Sequence, residues 1–291
     1  MKKNVNQIYQ DSIKNPEKFW GDVSEDVFWF KKPTKILNKS NPPFYKWYED
    51  GITNTCYNAL DHHIDQGKGD KTALIYDSPI TGFKTKFTFN ELKTKVSKFA
   101  GALDNQKVNK GDRVIIYMPM IPEAVVAMLA CARIGAIHSV VFGGFASNEL
   151  ASRIDDSKAK VLITASCGFE PGRTVEYRPL VDGALKLAKH KIEKLILFQR
   201  EGHEVKLNGP LEISWEEALS NVKEKDCVEM GANEYAYILY TSGTTGIPKG
   251  IVRDIGGHIV ALKWTMKNIY NIEEDDVWWS ASDIGWIVGH S

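Results

Sequence analysis

The chain has 291 residues, with 37 lysines and arginines balanced by 37 aspartates and glutamates, and 43% of its residues are hydrophobic. A chain of this length and composition can bury a sizeable core in one or two domains. The balanced charge and the lack of a basic run argue against nucleic acid or a membrane surface as a partner. The cysteines are scattered, without a C-x-x-C pair, which favours free thiols in a reducing compartment, and we predict no protein-bound metal. They are Cys56, Cys131, Cys167 and Cys227.

The beginning of the chain gives no sign of a targeting signal. Its first seven residues lack an apolar stretch, and its first 25 contain no arginine. Such a composition predicts neither a secretory signal nor a mitochondrial presequence. No apolar segment reaches the roughly 20 residues that span a bilayer. We therefore expect a cytoplasmic protein without a membrane partner, and we favour the cytoplasm over the mitochondrial matrix. The sequence does not indicate an oligomeric state.

Residues 1–65 differ from the rest because they are rich in lysine and in aromatic residues, as at Phe19–Trp20 and Phe28–Trp29–Phe30. Prolines separate the aromatic clusters and would break any long helix. We predict an irregular arm that lies on a larger body and is anchored by burial of its aromatic rings. The alternative is a surface on which a ligand ring stacks.

From residue 66 onward, short apolar runs alternate with amphipathic stretches. The apolar runs predict strands at 72–76, 113–117, 137–142, 161–164, 195–198, 235–240 and 277–280. The stretches between them predict helices at 91–104, 122–132, 147–155, 179–189, 215–221 and 257–268. This order predicts an α/β fold with mostly parallel sheets flanked by helices. Ligands of such sheets bind at loops that leave the carboxyl ends of strands, here 143–146, 165–173 and 241–250.

The last of these loops lies within Tyr240–Gly250, which reads YTSGTTGIPKG and follows a predicted buried strand. Glycines let a backbone approach an anion, hydroxyl groups donate hydrogen bonds, and Lys249 adds a positive charge. Only two residues separate Gly243 from Gly246, and a glycine follows the lysine, so the loop differs from the Walker type. The loop predicts a site for nucleotide phosphates, and a mobile surface loop is the alternative for such a composition.

These eleven residues closely resemble the phosphate loop of the adenylate-forming enzymes, which include acyl-CoA synthetases, peptide-synthetase adenylation domains and luciferases. The resemblance implies that Lys249 is catalytic and offsets the charge that develops during nucleotidyl transfer. It also implies a set of residues that bind the phosphates of ATP. These are Thr241, Ser242, Gly243, Thr244, Thr245, Gly246 and Lys249.

The loop at 165–173 contains Glu170, Pro171, Gly172 and Arg173. Its last two residues match a Gly-Arg pair that meets the 3′-phosphate end of coenzyme A in short-chain acyl-CoA synthetases, so the resemblance implies a CoA-binding loop at 170–173. A guanidinium can bind two phosphate oxygens, whereas the carboxylate of Glu170 cannot bind phosphate directly. Acetyl-type members often have arginine at this position, and the glutamate is more similar to the propionyl-type branch. Composition alone would favour a plain turn with a solvated arginine.

Residues 280–291 resemble the family motif DxGWxxGHS, which lines the acyl and adenylate pocket. The resemblance implies that Trp286 forms a wall, and that Ile287 and Val288 meet the acyl chain or the thiol end of CoA. Acetyl-type members commonly have threonine where Val288 stands, so the valine again fits the propionyl branch. Without the resemblance, simple core packing explains this aromatic segment equally well. For His290 we expect a structural role.

Taken together, these motifs resemble the N-terminal part of a short-chain acyl-CoA synthetase of the propionate–CoA ligase type. The resemblance implies ATP with Mg²⁺, CoA and a small carboxylate as ligands. The carboxylate attacks the α-phosphate of ATP and pyrophosphate leaves; the CoA thiol then displaces AMP. Residues 1–65 would be the arm and 66–291 a truncated AMP-binding domain, with the small C-terminal domain absent. We expect no activity from these residues alone, and some uncovered apolar surface.

Two alternatives remain open for the function. One is an adenylating enzyme that passes its acyl group to a carrier protein instead of CoA. The other is a truncated gene product that binds ligands without catalysis. The sequence also leaves open the choice among acetate, propionate and butyrate, because one methylene group changes binding in a pocket by only about 1–3 kcal/mol.

Overall fold

The computed structural model describes residues 4–241 and 248–290. The elements of its first part are α1 (Val5–Lys14), α2 (Pro16–Ser24), β1 (Leu37–Asn38), β2 (Lys46–Trp47), β3 (Ile52–Thr53), and two π-helical segments, Tyr57–Asp61 and Ile64–Lys68. The prediction of an irregular arm is therefore wrong for residues 5–24, which are almost entirely helical. Pro16 does not prevent this, because it opens α2 at the first position, where the helix requires no backbone N–H.

Aromatic residues of the arm form a small core with the body. Trp29 and Tyr48 are buried together with Val260 and Ala232. The indole N–H of Trp29 donates to the carbonyl oxygen of Ser24 (2.9 Å), and the hydroxyl of Tyr48 donates to the carbonyl oxygen of Trp20 (3.0 Å). Since both rings satisfy their polar atoms while burying apolar area, they anchor the arm as the sequence predicts.

The rest of the chain alternates strands and helices. The strands are β4 (Thr72–Asp77), β5 (Lys84–Thr88), β6 (Arg113–Tyr117), β7 (Ile137–Val140), β8 (Val161–Ala165), β9 (Cys167–Glu170), β10 (Arg173–Glu176), β11 (Lys194–Phe198), β12 (Glu212–Ser214), β13 (Met230–Gly231), β14 (Tyr235–Thr241) and β15 (Lys249–Asp254). The helices are α3 (Phe89–Asn105), α4 (Pro122–Arg133), α5 (Ser147–Ser157), α6 (Tyr177–Leu187), α7 (Trp215–Ala218), α8 (Gly256–Asn268) and α9 (Ile287–His290).

Seven of these strands form the central sheet in the order β12-β11-β8-β6-β7-β14-β15. All neighbouring pairs are parallel except β14 and β15, which form an antiparallel hairpin. Helices α3 and α4 pack together, and so do α5 and α6. Right-handed crossovers place α4 and α5 on opposite faces of the sheet. The predicted α/β fold, with a mostly parallel sheet between helices, is confirmed.

The central strands are buried because helices cover both of their faces. Val114, Ile115, Ile116 and Tyr117 of β6 have no exposed surface. Such continuous apolar runs explain why the sequence predicts these strands correctly. Within the described part of the chain, no helix combines the length and the apolar character that crossing a bilayer requires.

One predicted strand is wrong, and several strands were not predicted. Residues 277–280 form no strand, and Val277 and Trp279 are 74% and 79% exposed. The edge beside β14 is taken by β15, whose register pairs Thr241 with Lys249. The predicted loop 165–173 instead contains the β9–β10 hairpin. Strands β5 and β12 also went unpredicted, because their residues are mostly polar.

Candidate functional site

Strands β6, β7, β8 and β14 direct their carboxyl ends to one edge of the central sheet. The last motif of the chain lies on this edge. The backbone N–H of Ile284 donates to the sulfur of Met120 in the turn after β6 (3.3 Å). Trp286 contacts Phe142 in the turn after β7, with 6.5 Å between ring centroids. Segments far apart in sequence therefore meet where α/β sheets bind their ligands.

The predicted phosphate loop connects β14 to β15. Thr241 ends β14 and Lys249 begins β15, so the two residues face each other across the hairpin, and both are exposed. Among the residues that the structure describes, Lys249 has no ion-pair partner within 4.0 Å, so its charge is not neutralised by a nearby carboxylate. The other predicted phosphate ligands lie outside the described residues. They are Ser242, Gly243, Thr244, Thr245 and Gly246.

Tyr240 fixes the end of β14 beneath this turn. Its hydroxyl donates to the carboxylate of Asp156 in α5 (2.7 Å). The guanidinium of Arg153 lies 5.3 Å from the centre of the Tyr240 ring and 4.9 Å from the centre of the Phe145 ring. These contacts connect the hairpin to α5 and to the turn after β7, so the base of the predicted phosphate loop has a defined position.

The predicted acyl-pocket residues lie next to the turn after β7. The ring of Trp286 contacts Phe145 edge to face, with centroids 6.1 Å apart. Ile287 and Val288 belong to the short helix α9, and their side chains are 46% and 63% exposed. Trp286 thus packs against aromatic rings, whereas the apolar side chains of Ile287 and Val288 are exposed to solvent.

A buried polar cluster lies behind this motif. His138 of β7 and His290 of α9 face each other with 3.1 Å between their Nε2 atoms. The hydroxyl of Tyr237 in β14 lies 3.1 Å from Nε2 of His258 in α8. His290 also contacts the carbonyl oxygen of Ile284 through Nδ1 (3.0 Å), which supports the structural role predicted for it. His138 and His258 were not predicted; for His138, the signal that the sequence offers is a histidine inside an apolar strand.

Burial gives the three histidines unusual proton affinities. Desolvation lowers the pKa of His258 to about 4, with a contribution from the charge of Arg253, and desolvation lowers the pKa of His290 to about 4. The pKa of His138 also lies well below its usual range, because the ring is buried beside the other two. The cluster is therefore neutral at pH 7, and its members resist protonation in the folded state.

The free energy of unfolding is expected to fall as the pH decreases from about 7 to 4. An unfolded histidine takes up a proton near pH 6.5, whereas folded His258 and His290 do so near pH 4, so the unfolded state binds more protons between these values. Each of these two histidines should lower the free energy of unfolding by about 2–3 kcal/mol when the pH falls from 7 to 4.5. Urea titrations at pH 7.5 and pH 4.5 measure the change.

A His258→Gln variant provides the comparison, because buried carboxyl groups add a dependence of opposite sign. Burial raises the pKa of Asp254 and Asp283, so these groups favour the folded state as the pH falls. The variant retains both carboxyl groups and should lose only the contribution of His258. An identical pH dependence in the variant and the original protein would show that His258 does not titrate abnormally.

The predicted CoA-binding loop is the turn of the β9–β10 hairpin. Glu170 and Arg173 are paired across this turn, with Oε2 of the glutamate 2.6 Å from Nη2 of the arginine. Pro171 and Gly172 form the tip, and Gly172 has φ of +75°, a conformation that favours glycine. Arg173 is 71% exposed. In this structure Glu170 therefore pairs with Arg173, in keeping with its inability to bind phosphate directly.

Tyr177 lies near both the predicted CoA-binding loop and the predicted acyl-pocket motif. Its hydroxyl lies so near Gly143 that a Cβ atom there would be 2.0 Å from the oxygen, so this close approach requires glycine. Burial raises the pKa of Tyr177, and the charges of Asp283 and Glu170 contribute to the shift. The acyl motif and the β9–β10 turn are therefore close to the same side chain.

A further cation near the β9–β10 hairpin was not predicted from the sequence. The guanidinium of Arg200 lies over the ring of Phe169, 4.7 Å from its centre. The backbone N–H of Arg200 donates to the hydroxyl of Ser166 (2.8 Å). The turn after β11 thus adds a half-buried positive charge next to Phe169 of this hairpin.

A different group of side chains has ligand atoms close enough to hold a metal ion. Cys56, Asp61 and Cys227 each offer one such atom, all within 4.8 Å of one another. The guanidinium of Arg133 contacts all three residues, at 3.5, 2.7 and 3.1 Å from Cys56, Asp61 and Cys227. The positive charge of this buried guanidinium disfavours the binding of a metal ion between the three residues.

The chain matches a known family over most of its length. The sequence model of the AMP-binding enzymes matches residues 60–291. The chain belongs to the AMP-binding enzyme family. A second model, that of the acetyl-coenzyme A synthetase N-terminus, matches residues 5–59, which include most of the aromatic arm.

Curated relatives in this family include acyl-CoA synthetases. "Acyl-CoA synthetase short-chain family member 3, mitochondrial" of Rattus norvegicus is 53% identical over 281 residues, which are 96% of this chain and 41% of the relative. "Acetyl-coenzyme A synthetase" of Aeromonas hydrophila is 43% identical over 289 residues, 98% of this chain and 44% of the relative. The predicted resemblance to short-chain acyl-CoA synthetases is confirmed. The chain spans less than half the length of these relatives.

The fold also matches the solved structure of a CoA synthetase. Acetoacetyl-CoA synthetase from Streptomyces lividans superposes with a TM-score of 0.90 and 25% identity, and the match covers 99% of this chain and 44% of that chain. The arrangement of helices and strands in the chain is therefore that of a known acyl-CoA synthetase fold.

Proposed function

We propose that these residues form the N-terminal part of an AMP-forming short-chain acyl-CoA synthetase, which converts ATP, a small carboxylate and CoA into acyl-CoA, AMP and pyrophosphate. The observation that carries the proposal is the position of Trp286, which lies against the turn after β7 at the edge where the β14–β15 hairpin also ends. The identity with acyl-CoA and acetyl-CoA synthetases supports it.

In the first step, the carboxylate attacks the α-phosphate of ATP and pyrophosphate leaves. Thr241, the glycines and hydroxyls of 242–246, and Lys249 would bind the β- and γ-phosphates through N–H, O–H and ammonium groups. The exposed ammonium of Lys249 is available for this because it has no ion-pair partner among the described residues. ATP would arrive as its magnesium complex, since Mg²⁺ in such sites is held largely by substrate phosphates.

In the second step, the CoA thiol displaces AMP from the acyl adenylate. The turn at Glu170, Pro171, Gly172 and Arg173 would receive the 3′-phosphate end of CoA. Arg173 is exposed but paired with Glu170, so a phosphate has to replace this carboxylate as the partner of the guanidinium. The ion pair would keep Arg173 in place when CoA is absent.

We further propose propionate as the preferred acid, because Val288 offers an apolar surface where acetyl-type enzymes commonly have threonine. The test uses a full-length protein, in which these residues are followed by the region that the relatives have beyond the match. In that protein, kcat/KM for propionate should exceed kcat/KM for acetate by about tenfold or more. Competition between the two acids, followed by the acyl-CoA products, measures the ratio.

The outcome of this competition distinguishes a propionyl-type enzyme from an acetyl-type enzyme. Equal or better use of acetate would contradict the propionyl assignment, and no acyl-CoA from either acid would contradict the proposed activity. The 291 residues alone serve as the negative control. We expect no acyl-CoA from them, since the relatives carry more than half of their length outside the matched region.

The remaining assignments stay proposals. We place the boundary between the arm and the AMP-binding domain near residue 65, close to the point at residues 59–60 where the two family matches meet. We propose a cytoplasmic location, although the rat relative is named as mitochondrial. Small molecules alone, namely ATP, CoA and a carboxylate, are proposed as partners.

A further inference from the structure

The group formed by Cys56, Asp61, Arg133 and Cys227 lies outside the proposed ligand sites. Arg133 ends α4 and has no exposed surface. Its guanidinium binds both carboxylate oxygens of Asp61, at 2.7 and 2.9 Å. Its Nε–H donates to the carbonyl oxygen of Lys225 (2.5 Å). The cluster is thus a fixed, buried arrangement, and the proposed reaction does not use it.

The two thiols of this group face each other. The Nη1 atom of Arg133 contacts both sulfurs, and the sulfurs lie within 4.8 Å of each other. A hydrogen bond with Cys56 and burial raise the pKa of Cys227. The thiol of Cys227 also lies 3.7 Å from a carboxylate oxygen of Asp61, which can accept its proton.

The two cysteines belong to different parts of the molecule. Cys56 precedes the first π-helical segment of the arm, whereas Cys227 lies between α7 and β13 of the body. Asn54 holds the two parts together, because its amide donates to the carbonyl oxygens of Ala132 and Val228, both at 2.9 Å. These hydrogen bonds hold the segment that contains Cys56 against the segment that contains Cys227.

The two cysteines differ in their exposure to solvent. Cys56 is fully buried and Cys227 is partly exposed. The other cysteines, Cys131 and Cys167, are buried elsewhere in the structure. An accessible thiol beside a buried one is the arrangement in which the first reacts with an oxidant and the second resolves the product.

We propose that Cys56 and Cys227 form a reversible disulfide that fastens the N-terminal arm to the body when a disulfide oxidant such as oxidised glutathione is in excess. The Cys227 sulfur, having given its proton to Asp61 or to water, attacks one sulfur of glutathione disulfide and releases one glutathione, which takes up a proton. The Cys56 sulfur then gives up its proton and attacks the Cys227 sulfur of the mixed disulfide, and the second glutathione leaves and takes up a proton. Two protein thiols are oxidised, and one glutathione disulfide is reduced to two thiols.

The charge of Arg133 lowers the pKa of Cys227 and partly offsets the effect of burial, so it favours the thiolate that attacks. The bond would join positions that are far apart in the chain. Cross-links of this kind restrict the unfolded state most strongly, so the oxidised protein should unfold at a temperature higher by roughly 5–10 °C.

The experiment equilibrates the 291-residue chain with mixtures of reduced and oxidised glutathione. The chain is then alkylated and digested, and its peptides are mapped by mass spectrometry without a reduction step. We expect the alkylated thiols to fall from four to two, together with a cross-linked peptide pair that contains Cys56 and Cys227 and is lighter by two hydrogen atoms. Dithiothreitol should restore all four. In a Cys167→Ala variant, which keeps both reacting sulfurs, the alkylated thiols should fall from three to one and the same cross-linked peptide pair should form.

A Cys56→Ser variant tests the order of the two steps, since Cys227 should then accumulate as the mixed disulfide with glutathione. Three results would overturn the proposal. The first is full alkylation of Cys56 and Cys227 under conditions that oxidise the urea-unfolded chain. The second is a stable mixed disulfide on Cys227 in the unaltered protein. The third is a cross-link that joins Cys227 to Cys131 or Cys167.

Discussion

Replacing Asp61 by alanine is expected to lower the free energy of unfolding by about 3–5 kcal/mol. Arg133 is fully buried and binds Asp61 through two hydrogen bonds, so the variant leaves a buried guanidinium without its carboxylate. Removing Asp61 lowers the free energy of unfolding by more than the ion pair contributes to it, because the charge of Arg133 stays buried and cannot be solvated by water. Urea unfolding at pH 7 measures the difference.

Two further variants separate this effect from a general loss of contacts. A double variant, Asp61→Leu with Arg133→Met, removes both charges and should recover most of the stability. Asp77→Ala removes the carboxylate of the exposed pair with Lys84 and should leave stability nearly unchanged. The interpretation is wrong if Asp61→Ala costs no more than Asp77→Ala.

Replacing Lys249 by alanine in the full-length protein is expected to lower the rate of acyl-adenylate formation by about 100-fold, the usual effect of removing one group that stabilises transition-state charge. The lysine begins β15 opposite Thr241, so it stands at the base of the turn that we propose as the phosphate site. Propionate-dependent exchange of pyrophosphate into ATP measures this step without CoA.

Arg253→Ala is the matched control for Lys249→Ala. Both residues are exposed cations on β15, four positions apart, but Arg253 lies away from the turn. The control should exchange pyrophosphate at close to the original rate. A similar loss in both variants would indicate a general effect of positive charge on β15, and an unaltered rate in Lys249→Ala would remove the lysine from the proposed mechanism.

The sequence predicts the strands whose residues are buried on both faces. Strands β6 and β8 are continuous apolar runs, since helices cover them, and they were found with nearly correct bounds. Strand β5 reads KTKFT and carries no such signal, because it pairs only with β4 at the surface. The prediction of a strand at 277–280 is wrong although the residues are apolar. Residues with a high β propensity form a strand only where the edge of a neighbouring strand is free to pair with them.

The candidate site is predictable where it depends on local sequence. The turn that contains Gly172 can be recognised, because its backbone requirement appears in neighbouring residues. The contacts of His138 with His290 and of Cys56 with Cys227 join residues 152 and 171 positions apart. The local sequence does not predict contacts between residues so far apart, because these contacts depend on the order of strands in the sheet and on the path of the arm.

The affinities of the full-length protein for ATP and for AMP, measured by calorimetry with and without the Lys249→Ala change, test most directly whether the turn between β14 and β15 binds a polyphosphate. We predict that the dissociation constant of ATP rises about tenfold or more, as expected for the loss of a charged hydrogen bond worth about 1.5–3 kcal/mol, while that of AMP is unchanged. An unchanged affinity for ATP, or an equal loss for both nucleotides, would contradict the proposal.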